Sequence, residues 1–136
     1  MKHHSVFDVN IWLSYFLNDN LADIQKMAWE NDVSLYRSIT MTLELLDVLN
    51  RPKFKKYFPD GYDHLLEFYL LITTEYLPAS KFKDCKDEKD NYLFDLAYLA
   101  NAQYLVSGDK TVLNTPVRET LKLLTLKEFK KEIGFE

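Results

Sequence analysis

The sequence predicts an α/β fold, a central and mostly parallel sheet sandwiched between layers of helices. Three observations lead there. Short apolar runs alternate with stretches of helical periodicity along the whole chain. Two strand candidates end on an acid, Asp8 and Asp109, at the edge where such sheets bind ligands. The 136 residues are 47% hydrophobic and 28% charged, and hold three Gly and four Pro, which predicts one domain over 1–136 without a linker.

The elements follow in order. Residues 3–8 read as a first strand. Residues 10–18 and 20–31 read as helices, the second amphipathic through Leu21, Ile24, Met27 and Ala28. Val33 and Leu35 alternate in a second strand over 33–38. Ile39, Leu43, Leu46 and Leu49 recur at helical spacing over 38–50, and Pro52 ends or kinks that run. Residues 59–76 read as one long helix with Leu65, Leu66, Phe68, Tyr69 and Ile72 as core candidates. The charged, aperiodic stretch 79–89 is a loop. Residues 90–102 are a helix with Leu93, Leu96, Ala97 and Ala100 on one face. A strand over 103–107 turns out at Gly108, and "KTVL" begins a short helical run. A last strand spans 121–125, and Thr125 caps a final helix.

Composition excludes several classes. The single Cys85 rules out an intrachain disulfide and suits a reducing compartment. "MKHHSVF" is too short and polar for a signal peptide, and "FYLLITTEYL" is too short to span a bilayer, so a cytoplasmic protein without membrane contact is expected. The histidines, His3, His4 and His64, form no zinc pattern with Cys85. Neither GxxxxGK[ST] nor GxGxxG is present, nor a nucleophile elbow. A net charge of −4 argues against a broad nucleic-acid surface. A local strip remains: Arg51, Lys53, Lys55 and Lys56, either a solvated helix end or a set of phosphate contacts.

The acids carry the chemistry. Asp8 sits where the first strand leaves the core, and Asp109 where "YLVSGDK" does; either also suits a turn or cap. If those strands are neighbours, two carboxylates face each other and need a cation or a raised pKa. Asp90 opens the 90–102 helix as a cap candidate and projects toward the sheet side, whereas Asp95 points away. Glu44 shares a narrow polar face with Thr40, Asp47 and Arg51, which a solvated face also explains. Asp87 is a lesser candidate. Four acids at one edge suit Mg²⁺ or Mn²⁺.

Together these motifs resemble a PIN-domain ribonuclease, and within it the toxin components of bacterial toxin–antitoxin pairs. "VFDVNIW", "TLELLDVLNRPKF", "CKDEKDNYLFDLAYLANAQYLVSGDKTVL" and "LKLLTLKEF" resemble that group's motifs in order along nearly the whole chain. The resemblance implies a PIN-like three-layer fold and a metal-dependent RNA endonuclease. Asp8, Asp90 and Asp109 would be metal ligands, and Glu44 a ligand or supporting acid. Asn10 and Ser107 match positions that orient those acids. Val9 stands for the commoner Thr, Glu88 for a usual Pro and Thr111 for a usual Asp. The implied partners are an RNA substrate, an antitoxin protein and a second copy of the chain. Trp12, Tyr15, Phe16 and Trp29 cannot all face the sheet at 100° per residue, which places the expected dimer contact on the first helices. Two other readings compete. A silent protein-interaction module would not need a complete quartet. A phosphohydrolase with a strand-one nucleophile would need an acid where Asn10 stands.

Overall fold

The structure, a computed structural model, describes residues 2–135. Its strands are β1 (His3–Phe7), β2 (Val33–Arg37), β3 (Thr73–Glu75), β4 (Tyr104–Val106) and β5 (Lys122–Leu124). Among the described residues they form one sheet in the order β3-β2-β1-β4-β5, parallel throughout. Parallel neighbours cannot be joined by a hairpin, so every connection carries helices. α1 (Val9–Leu17) and α2 (Leu21–Glu30) join β1 to β2. α3 (Ile39–Leu49), α4 (Pro52–Lys55) and α5 (Asp63–Ile72) join β2 to β3. α6 (Asn91–Leu99) precedes β4, α7 (Lys110–Leu113) precedes β5, and α8 (Leu126–Glu132) follows it. The expected fold class is the observed one, a parallel sheet flanked by helices.

Burial on both faces holds the centre. Val6, Phe7, Leu105 and Val106 are fully buried, as strands between two helical layers must be. Phe7 meets Phe129 of α8 edge-on at 5.5 Å between centroids. Trp12 of α1 meets Tyr69 of α5 edge-on at 5.0 Å. Each fully buried large apolar side chain contributes roughly 1.5–3 kcal/mol. Leu93, Leu96 and Ala97 of α6 are fully buried, and this helix packs against β1, β2 and β4 as well as α3. Thr125 closes a capping box with Glu128 at the start of α8, as its position predicts. Among the described residues no helix is long and apolar enough to cross a membrane.

Three expectations are corrected. The long helix over 59–76 is a shorter α5 followed at once by β3, whose Thr73 and Glu75 pair with Leu35 and Arg37 of β2. Arg37 secures this edge by donating to the Thr73 carbonyl and hydroxyl, both at 2.7 Å. In α3 the core stripe is Met41, Leu45, Val48 and Leu49, while Ile39 and Leu43 are exposed. Trp12, Tyr15 and Phe16 are all core residues, because α1 is covered by more than the sheet; of that group only Trp29 is exposed.

Candidate active site

β1 and β4 are neighbours, and the strand order reverses there: β2 and β3 extend beyond β1, and β5 beyond β4. A crevice opens beyond the strand ends at such a switch point. The register pairs Phe7 with Val106, so the next residues, Asp8 and Ser107, leave the sheet side by side. The Asp8 N–H donates to the Val106 carbonyl at 2.9 Å. The buried Ser107 hydroxyl donates to Asp8 Oδ2 at 2.7 Å and accepts from the Asp109 N–H at 3.0 Å. One hydroxyl therefore ties two strand ends together and sets the orientation of Asp8.

Asp109 does serve as a cap, since its Oδ1 accepts from the Thr111 N–H at 2.8 Å at the start of α7. That uses one carboxylate oxygen and leaves Oδ2 for other work. Asp90 differs. It ends a 3₁₀ turn, Glu88–Asp90, and its side chain makes no cap hydrogen bond to α6, so the expected capping role is corrected. The residue is buried, and among the described residues its carboxyl has no hydrogen-bond partner. Asp95 points away as expected, accepting from the Lys81 and Phe82 N–H groups and pinning the 79–89 loop.

Glu44 is half-buried and turned toward α6, where the Tyr92 hydroxyl donates to its Oε2 at 2.5 Å. Asp47 and Arg51 remain in solvent and pair with each other at 3.0 Å. The solvated face predicted for this helix thus includes Asp47 and Arg51 but not Glu44.

Electrostatics links these acids. The Asp90 carboxyl is pushed up to about 7, first by burial and then by the charges of Asp8, Asp87, Glu44 and Asp109. Asp8 is also raised: burial outweighs the Ser107 hydroxyl and the N–H groups of Asn10 and Val9, and Asp109 adds to the rise. Asn10 acts here through its backbone; its side chain is exposed. Among the described residues Asp8, Glu44, Asp90 and Asp109 form no ion pair with a cationic side chain. Among those residues no three Asp, Glu, His or Cys side chains are arranged closely enough to hold a metal ion as they stand. The donor set is nonetheless all carboxylate oxygen, mutually repelling and without a cation. That chemistry fits a hard divalent ion and not zinc.

Two further regions bear on the site. Lys53 lies over the Phe54 ring at 5.0 Å and Lys56 over Tyr57 at 5.3 Å, in an exposed turn around α4. With Arg51 and Lys55 they lie on and beside α4, beyond the C-terminal end of α3, the helix that carries Glu44. A cleft of about 840 Å³ runs beside α6 past Leu77, Phe82, Tyr98, Leu99 and Arg118, and none of the four acids lines it. The acids identify the candidate chemistry, so the cleft's size does not make it the reaction centre. Tyr92 is the residue that the sequence did not signal, because its partner lies 48 positions away.

The PIN domain family matches residues 4–111, a span that contains all four acids. The chain is also similar to the uncharacterized protein MJ1680 of Methanocaldococcus jannaschii, with 27% identity over 118 residues, 84% of this chain and 76% of the relative.

Proposed function

This chain belongs to the PIN domain family, and we propose that it is a Mg²⁺- or Mn²⁺-dependent ribonuclease that cleaves phosphodiester bonds in RNA. The family's fold is nuclease-like. The observation that carries the finer reading is the placement of Asp8 and Asp109 at adjacent strand ends, joined through Ser107, with the charges of Asp8, Asp87, Glu44 and Asp109 all bearing on the buried Asp90. Asp8, Asp90 and Asp109 would hold the cation, with Glu44 as the fourth acid. A bound divalent ion supplies Lewis acidity and a water that ionises near neutral pH.

The chain's own residues prepare that chemistry. Ser107 fixes Asp8 Oδ2, which leaves Oδ1 with a defined direction. The Thr111 N–H fixes one oxygen of Asp109 in the same way. Burial of Asp8 and Asp90 removes competing water and strengthens their interaction with any cation. In the metal-free protein Asp90 retains a proton to near neutral pH, which limits the repulsion. Cleavage of labelled single-stranded RNA tests the reading. Wild type is expected to cut with Mn²⁺ or Mg²⁺ and to stop in chelator, and Asp8→Asn to stay inactive with metal. Cutting that persists in chelator, or no cutting by wild type, would contradict it.

Within the same reading the chain acts in the cytoplasm as the toxin of a toxin–antitoxin pair and as a homodimer. The ordered resemblance from "VFDVNIW" to "LKLLTLKEF" supports this. The buried Trp12, Tyr15 and Phe16 cannot form the dimer contact; Trp29 and Leu71, 72% and 87% exposed, are available to it. Growth arrest on expression, relieved by a co-expressed neighbouring gene product, tests the toxin role. Light scattering at micromolar concentration tests the dimer.

A further inference from the structure

Two of the four acids are each held by a side-chain hydroxyl. Ser107 holds Asp8, and both lie at adjacent strand ends. Tyr92 holds Glu44, and it comes from a different element, the second position of α6. The Tyr92 ring is half-buried where α6 packs on α3. Its hydroxyl also lies within electrostatic reach of Asp8 and Asp90, so it sits among three of the acids. A tyrosine that only filled space between two helices would not need a hydroxyl in that place. Phenylalanine would fill it, without an O–H donor to bury among carboxylates.

The bond has a geometric consequence. Glu44 has three side-chain torsions and, half-exposed, would otherwise sample several of them. Occupation of Oε2 fixes the carboxylate plane and leaves Oε1 as its unshared oxygen. Asn91, one residue before Tyr92, accepts from the Cys85 N–H at 3.0 Å and anchors the start of α6. The donor is thus mounted on a fixed helix end rather than a loop.

We propose that Tyr92 is a positioning residue that clamps Glu44 through Oε2, so that Glu44 serves the acidic site through Oε1 alone. This rests on the ribonuclease reading above. Loss of the clamp should weaken cation binding and the chemical step while leaving RNA affinity alone. Residues that orient metal ligands typically cost about 10–100-fold in metal affinity or activity when removed.

The test is Tyr92→Phe, which keeps the ring, read first by Mn²⁺ affinity from the electron paramagnetic resonance of the free ion. The expected result is a loss of about 10-fold in affinity, a fall in kcat with KM unchanged, and little further loss when Tyr92→Phe is added to Glu44→Gln. Circular dichroism and thermal unfolding establish that the variant is folded. A folded variant within twofold of wild type in Mn²⁺ affinity and kcat overturns the clamp alone, provided wild type binds Mn²⁺ and cuts RNA. Full additivity of the two substitutions also overturns it. A wild type that neither binds Mn²⁺ nor cuts RNA overturns the ribonuclease reading and the clamp together.

Discussion

Asp23 and Asp8 are both carboxylates drawn in from the surface, and the fold treats them in opposite ways. Asp23, on α2, accepts from the Tyr15 hydroxyl at 2.5 Å and pairs with Lys130 of α8 at 2.8 Å. Its charge is met by a cation of the chain itself. Asp8 receives a hydroxyl and helix-start N–H groups, but its nearest charged company is acidic. Asp90 is treated more severely, with four acids acting on it and, among the described residues, no hydrogen bond to its carboxyl group. Uncompensated buried charge is expensive, so a fold that supplies Lys130 at one corner and, among the described residues, no cationic side chain at the other leaves room for an external cation. The same contrast separates a structural acid from a candidate functional one without reference to any relative.

The largest expected effect breaks the acidic side of the comparison. Asp8→Asn keeps an oxygen to accept from Ser107 but removes the charge. RNA cleavage should fall by at least about 100-fold, with the fold retained by circular dichroism. Unfolding of this variant would make Asp8 a structural residue like Asp23.

A smaller effect concerns stability in chelator. The Asp90 pKa is raised from 3.8 to about 7 in the folded state. Below pH 4 the group is protonated in both states and contributes no difference. Between pH 4 and 7 the unfolded chain ionises first, so the folded state is progressively penalised, and above 7 the penalty is complete. Asp90→Asn escapes it. The whole shift would correspond to on the order of 4 kcal/mol, and solvent near the carboxyl screens it, so the stability of this variant relative to wild type should rise by on the order of 2 kcal/mol from pH 4 to pH 7. Urea unfolding at several pH values in chelator measures this. A difference that is flat with pH would mean that Asp90 is not strained by its neighbours.

The smallest effect lies on the paired side. Asp23→Asn loses the Lys130 attraction and weakens the Tyr15 bond, which should cost about 1 kcal/mol. Cleavage should be unchanged. A loss of activity with stability retained would blur the distinction between the two corners.

Much of this contrast was legible in the sequence. Asp8 and Asp109 stand at strand ends that alternation alone located, and Asp90 and Asp95 were separated by counting around one helix. Other features were hidden for physical reasons. β3 follows "LLI" without a turn residue, and an apolar run fits helix and strand equally; only the β-branched Ile72, Thr73 and Thr74 hinted at the change. α3 is apolar at most positions, so its buried stripe had no unique phase. The burial of Glu44 depends on Tyr92 of a distant helix, and the burial of Trp12 on Tyr69 of another. Such contacts belong to the packing of elements, which periodicity within one element does not encode.

The most direct measurement is Mn²⁺ uptake by the chelator-stripped protein, followed by electron paramagnetic resonance at neutral pH. Wild type and Asp23→Asn are expected to bind the ion equally, and Asp8→Asn to lose it. No uptake by wild type, or equal uptake by Asp8→Asn, would contradict the claim that the acids beyond β1 and β4 are a cation site.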